Sequence, residues 1–272
     1  MVKRLLPSKK GVKIGHTGTL DPMASGLLVL LLGRATRLSR YVTDLDKAYT
    51  ATARLGATSD SLDADGEILE LDEPAPSEAE LRAVLPRFTG EIEQLPPMAS
   101  AVKVGGERLY KAHHRGETVE REPRKAVVYS LDLTGYDAAR RTASFEVSCG
   151  SGTYVRTLVS DLAEAAGSAA YLTSLRRTAV GSLSLRDAVS PDDLTVEGLP
   201  NRLVSMRQVV SHLPALEVGE KDRRRVADGK SLPLAGEAAA DQALRVEHRG
   251  ELLAIYRAEE GSARPEAVLC AG

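Results

Sequence analysis

One carboxylate stands where it could do chemistry. Asp21 ends the run IGHTGTLD, follows glycines at 15 and 18, precedes Pro22, and leads within a few residues into six apolar positions, LLVLLL at 27–32. A carboxylate held rigidly and kept ionised works as a nucleophile or as a general base without help from a metal. Gly15 and Gly18 allow a tight backbone, Pro22 restricts the exit, and His16, Thr17 and Thr19 supply polar neighbours. A structural reading competes. Aspartate before proline commonly caps a turn, and a histidine such as His16 is commonly buried and hydrogen-bonded, so spacing alone leaves both readings open.

Other chemistries are poorly served. GHTGTLDPMASG lacks the GxxxxGK[ST] order of a phosphate loop, and no GxGxxG follows an expected strand. The five histidines, at 16, 113, 114, 212 and 248, are not spaced with cysteines or acids as zinc ligands are. The two cysteines, Cys149 and Cys270, are far apart and suggest neither a disulfide scaffold nor a Cys-ligated metal. No cofactor and no metal are therefore expected.

The elements that must position Asp21 follow from periodicity and breakers. The LLVLLL run, bounded by Gly26 and Gly33, is too short to span a membrane and reads as a buried strand. ATRLSRYV reads as a short helix, and KAYTATARLG as a half-buried strand with Tyr49, Ala51, Ala53 and Leu55 on one face. SEAELRAVLPRF has Ser77 and Glu80 at capping-box spacing, with Pro86 ending or bending the helix. MASAVKVGGERLYKAHHRG reads as a strand, a Gly105-Gly106 turn and a short helix, and RKAVVYSLDL and TASFEVSC as two further strands.

GSGTYVRTLVSDLAEAAG turns tightly into a helix with Val155, Leu158, Leu162 and Ala166 on one side, closed by Gly167. Arg156 falls in its first turn, where the helix dipole disfavours a cation, so another group should hold it. From about residue 208 the texture becomes that of a compact, mostly β appendage. ALRVEHRGELLAIYRA is hairpin-like there, and LAGEAAAD reads as a loop.

The chain's 272 residues suffice for one large domain or a large one plus a small one, and the order of elements suggests an α+β body. The net charge of −2 hides a segregation. Residues 1–50 hold nine Lys or Arg against three acids, whereas residues 60–93 hold eleven acids and two arginines. Such an arrangement fits a phosphate backbone on one face as well as it fits an ordinary solvated surface. Neither end carries a long apolar stretch, so a cytoplasmic protein without a membrane association is expected.

GHTGTLDPMASGLL resembles the signature of the bacterial tRNA pseudouridine-55 synthases, usually GHTGTLDP followed by A-T/S-G. KAYTATARLGATSDSLDADG, VSCGSGTYVRTL and YLTSLRRTAVG resemble that family's further blocks, in the same order. The likeness is close over residues 3–205, and the tail resembles the same enzymes' small RNA-binding domain. The implied architecture is α+β: a mixed-sheet pseudouridine synthase catalytic domain over 1–205, then a small, mostly β, PUA-like domain over 208–272. One departure is at the start, where MVKRLLPSKKGVK stands in place of the strand and KPxGxTS block that usually precede GHTG. A chain beginning at Met1 is thus expected to lack part of the family's N-terminal region.

By this resemblance Asp21 matches the catalytic aspartate that breaks the uridine N1–C1′ bond. Tyr49 matches the tyrosine that stacks on the target base and takes part in proton removal at C5. Arg156 matches the arginine paired with the aspartate, Leu175 the apolar residue packed on the base, and His16 the histidine near the flipped nucleotide. The implied reaction is isomerisation of uridine 55 in the T-loop of tRNA, with Asp21 either attacking C1′ or abstracting the 2′ proton to give a glycal. The implied partner is tRNA, with no obligate protein partner and a monomeric enzyme.

Three other readings compete. The first is a relative that works with guide RNAs and partner proteins. The second is a non-catalytic RNA-binding or tRNA-folding protein. The third is a nucleoside hydrolase, which would have no need of RNA-facing charge or an appended domain.

Overall fold

The computed structural model describes residues 2–6, 12–72, 74–234 and 239–270. They form two compact units interleaved along the chain. One comprises residues 19–28 and 44–188; the other comprises residues 1–18, 29–43 and 189–272.

The first unit is built on a seven-stranded mixed sheet. Its strands are β1 (Ser25–Gly26), β2 (Lys47–Leu55), β3 (Gly90–Gln94), β4 (Arg124–Asp137), β5 (Thr142–Cys149), β6 (Ala170–Val180) and β7 (Leu183–Ser184). Their order is β7-β6-β2-β5-β4-β3, every pair antiparallel, with β1 added to β6 as the one parallel pair. The period of two expected for KAYTATARLG is present: Ala51, Ala53 and Leu55 are buried, while Thr50 is exposed. Phe145 and Val147 of β5 and Leu131 and Leu133 of β4 face the same core.

Against that face packs helix α2 (Val155–Ala165), which buries Val155, Leu158, Val159 and Leu162 and ends at Gly167 with φ +79°. Each fully buried Leu or Phe contributes about 1.5–3 kcal/mol relative to an exposed one. Helix α1 (Glu78–Val84) opens with the expected capping box. Ser77 accepts from the Glu80 backbone N–H, and the Glu80 side chain accepts from the Ser77 backbone N–H. A 3₁₀ turn containing Pro86 follows directly, Leu85–Phe88. The segment after β3 holds two-residue strands at Lys103–Val104 and Glu107–Arg108, with Gly105 and Gly106 at positive φ between them, then a short helix, Leu109–His113.

In the other unit, Ile14–His16 pairs antiparallel with Leu30–Leu32. The expected buried strand over 27–32 is corrected here. Only Leu30–Leu32 is strand, and although Leu27 and Leu31 are buried, Leu28 and Leu30 are exposed. Apolar composition does not report which residues of a three-residue ladder face solvent, because a two-stranded ribbon has an outer side whatever its composition.

Residues 33–43 form a 3₁₀ turn and a short helix, Ser39–Thr43. Three arginines of the basic N-terminal segment hydrogen-bond the last strand of the chain or its end. Arg34 donates to the Leu269 carbonyl at 3.0 Å, Arg37 to that of Val268, and Arg40 to the Glu266 carboxylate.

Five strands make the C-terminal sheet: β8 (Ala215–Glu217), β9 (Leu232–Pro233), β10 (Ala243–His248), β11 (Glu251–Glu259) and β12 (Ser262–Val268), in the order β8-β10-β11-β12-β9. The β10–β11 hairpin is the one expected from ALRVEHRGELLAIYRA. Helix α3 (Glu220–Ala227) closes a core that includes Val226, Val246, Leu253 and Tyr256. Residues 235–238, the middle of LAGEAAAD, lie outside the described residues.

Candidate active site

The segment that carries Asp21 is docked on the sheet by backbone pairing. Gly26 and Ser25 pair with Arg177 and Arg176 of β6, and the Leu27 N–H donates to the Arg177 carbonyl at 2.8 Å. Gly26 has φ +101°, and a Cβ there would lie 2.3 Å from the Arg177 carbonyl oxygen, so only glycine lets the strands approach this closely. Within the loop the Ala24 N–H donates to the Asp21 carbonyl at 2.9 Å, the turn that an Asp-Pro sequence favours. The turn reading of Asp21 and the chemical one are thus compatible, because its backbone makes the turn and its side chain points elsewhere.

That side chain meets Arg156. Arg156 Nε lies 2.9 Å from Asp21 Oδ2, with the arginine side chain 3% exposed and the carboxylate 36% exposed. The other two nitrogens of the guanidinium are engaged as well. Its Nη1 reaches Asp63 Oδ2 at 3.0 Å and the Ser61 carbonyl at 2.7 Å, and its Nη2 donates to the Ala99 carbonyl at 2.8 Å. Two carboxylates and two carbonyls account for a cation in the first turn of a helix, the position the dipole disfavours. The start of α2 is fixed by the buried Gln94, which accepts from the Tyr154 N–H at 3.0 Å and donates to its carbonyl at 3.2 Å.

Sequence reasoning does not single out Asp63, which reads there as one acid in an acidic run. Its burial makes the difference. Asp63 Oδ1 accepts from Ser61 Oγ at 2.6 Å and from the Asp65 N–H at 3.1 Å, leaving Oδ2 for Arg156. Leu62, just before it, sits at φ +63°, strained for a leucine, and its carbonyl accepts from the Leu172 N–H of β6 at 3.0 Å. Gly66 closes the turn where a Cβ would fall 2.4 Å from Ser61 Oγ. The available signal is the Ser-x-Asp-x-Asp-Gly spacing of SLDADG, which suits a tight turn around one inward carboxylate.

The electrostatics run against the simplest expectation. Burial pushes the Asp21 carboxyl above its ordinary range, Arg156 pulls it down, and the nearby charge of Asp63 raises it again. Arg156 therefore offsets burial only in part, because its charge is shared with a second carboxylate. A poorly solvated carboxylate of raised basicity is a better nucleophile and a better base than one in water.

Tyr49 and Leu175 lie on the core-facing side of β2 and β6. Leu175 is buried opposite Ala51, and Tyr49 packs against the same core, paired in register with Arg177 and with Val147. Burial raises the Tyr49 phenol above its usual range. His16 belongs to the other unit, exposed on the strand Ile14–His16. Among the described residues, no group of three or more His, Cys, Asp or Glu is placed to hold a metal, and no helix is long and apolar enough to cross a membrane.

Residues 3–155 match the model of the TruB family pseudouridylate synthase N-terminal domain. The chain is 43% identical over 274 residues to tRNA pseudouridine synthase B of Ralstonia nicotianae, covering 97% of this chain and 86% of that protein. It is 42% identical over 279 residues to tRNA pseudouridine synthase B of Burkholderia mallei, covering 99% and 91%.

Among solved structures, its fold is similar to a chain of a Cbf5-Nop10-Gar1 complex, with a TM-score of 0.75 at 24% identity, covering 99% of this chain and 79% of that one. A chain of the archaeal box H/ACA sRNP Nop10-Cbf5 complex gives a TM-score of 0.70 at 25% identity, covering 99% and 80%. The fold is that of a TruB-like catalytic domain with an added C-terminal sheet. The chain belongs to the TruB family of pseudouridylate synthases.

Proposed function

We propose that this protein converts uridine 55 in the T-loop of tRNA to pseudouridine, with no cofactor and no obligate protein partner, as a cytoplasmic monomer. The observation that carries the reading is the half-open Asp21 carboxylate clamped at 2.9 Å by a buried arginine, in a chain 43% identical to a tRNA pseudouridine synthase B. Residues 1–205 act as the catalytic domain, and the C-terminal sheet within residues 208–272 is a PUA-like RNA-binding domain.

The tRNA is held by phosphate contacts and by shape, and the target uridine leaves its stack to enter the pocket. Asp21 breaks the N1–C1′ bond, by attack on C1′ or by removing the 2′ proton. Arg156 fixes the direction of the carboxylate and shares its charge. Tyr49 stacks on the base as it turns, Leu175 packs on its other side, and His16 contacts the flipped nucleotide. The uracil then rejoins the ribose through C5.

The test is release of tritium from an unmodified tRNA transcript labelled at C5 of uridine, comparing wild type with Asp21→Asn. Release by the wild type alone, mapped to the T-loop uridine, is expected. A folded wild type that binds tRNA and releases no tritium would overturn the proposal in favour of a tRNA-binding or tRNA-folding role.

A further inference from the structure

YLTSLRRTAVG contains two adjacent arginines of opposite fate, with Arg176 exposed and Arg177 buried at 3% exposure. Arg177 joins the two segments that carry the reacting groups. Its backbone carbonyl accepts from the Leu27 N–H at 2.8 Å, its side-chain Nε donates to the Leu27 carbonyl at 2.7 Å, and its backbone is the one that excludes a Cβ at Gly26. The two backbone contacts hold the loop of Asp21 and persist when the Arg177 side chain is replaced. On its other side Arg177 is the in-register neighbour of Tyr49 on β2, where its positive charge and side-chain hydrogen bonding favour the ionised phenol. A buried guanidinium placed between a catalytic loop and a half-buried phenol needs a reason, since burial of a charge is costly.

We propose that Arg177 is a positioning residue for the last step of the isomerisation: it holds the Tyr49 hydroxyl toward the rejoined base and stabilises its ionised form while Tyr49 removes the C5 proton. The inference rests on the pseudouridine synthase reading given above.

Once C1′ is bonded to C5, that carbon carries both the ribose and its original hydrogen. The Tyr49 phenolate, formed by loss of its proton to water, takes the C5 hydrogen as a proton. The C5–H electron pair becomes the C5=C6 double bond, the C6=N1 π pair moves to N1, and N1 takes a proton from water. The net change is one hydrogen moved from C5 to N1, with no oxidant or reductant, and the phenol returns its proton to solvent before the next turnover. Burial and the neighbouring Cys149 oppose ionisation of Tyr49, and the charge and hydrogen bond of Arg177 favour it. Removing the guanidinium should therefore slow proton loss while leaving tRNA binding alone.

The experiment is single-turnover tritium release from a C5-labelled tRNA transcript with wild type, Y49F, R177M, R177K and the Y49F/R177M double variant, alongside tRNA affinity by filter binding. General-base contributions are typically about 100-fold or more, so Y49F and R177M should each slow release by about that factor. The double variant should be no slower than Y49F, R177K should fall between wild type and R177M, and affinity should be unchanged. A double variant slowed by the product of the single effects, or an R177M that only weakens binding, would show a purely structural arginine and overturn the proposal. Should R177M not fold, R177K alone and combined with Y49F makes the same comparison. A wild type without tritium release defeats the pseudouridine synthase reading itself, whereas an active wild type matched in rate by Y49F defeats this inference alone.

Discussion

Replacing Asp63 by asparagine separates the architecture of the site from its chemistry. The Arg156 and Asp63 side chains are 3% and 4% exposed and meet at 3.0 Å. At a charge separation of about 4 Å and the effective dielectric that best describes protein ion pairs, their attraction is about 4 kcal/mol. Removing one partner of a buried pair typically costs about 3–5 kcal/mol. The substituted side chain would retain an oxygen for Ser61 Oγ and the Asp65 N–H but would present an amide N–H₂ to Arg156 Nη1, donor against donor. Asp21 remains as a second carboxylate for the arginine, which places the cost near the low end, about 3 kcal/mol.

For a unit of this size that corresponds to a melting temperature lower by about 6–12 °C. The carboxyl of Asp21 responds in a defined direction. Asp63 raises its pKa through like charge, so Asp63→Asn lowers it and moves the acid limb of kcat/KM to lower pH. Thermal melting and tritium release across pH measure both effects. An Asp63→Asn protein with an unchanged melting temperature and an unmoved acid limb would refute the account of Arg156 as a cation shared by two carboxylates.

Three further outcomes follow from the same geometry. Asp21 has a folded-state pKa raised by burial, so its ionised form opposes folding once the pH exceeds that value; Asp21→Asn should abolish tritium release yet melt no lower than wild type at pH 7. A Cβ at position 26 would strike the Arg177 backbone at a positive φ, so Gly26→Ala should lower kcat on the order of 100-fold by displacing the Asp21 loop, and a fully active variant would refute that docking. Asp161 of α2 is pushed up to about 6 by burial, with the charge of Glu164 adding to it. Its favourable contribution is complete below pH 3.8 and is lost as the pH rises through about 6, so Asp161→Asn should melt higher than wild type at pH 8, with the difference shrinking at pH 5.

Several elements were legible because their causes are local. The capping box at Ser77 and Glu80, the period of two in KAYTATARLG, the glycine stop at Gly167 and the β10–β11 hairpin each depend on residues within a few positions of one another. The LLVLLL run misled because its composition suits burial on both faces, while its strand pairs, among the described residues, only with Ile14–His16 and leaves Leu30 exposed. The unusual place of Arg156 in a first turn was visible in sequence, as was the need for a partner to hold it there.

The sequence by itself determined the family, the order of its blocks and the residue types of the site, because GHTGTLDP, the tyrosine strand and the arginine helix are short motifs whose spacing survives in one dimension. Only the tertiary structure decided how they combine. Asp21, Asp63 and Arg156 lie on three separate segments, and the sheet register and the close approach at Gly26 bring them together. Burial then turned Asp63 from one acid in a charged run into the second carboxylate of the site. It also set the basicity of Asp21, since desolvation depends on what surrounds a side chain in space and not on its neighbours along the chain.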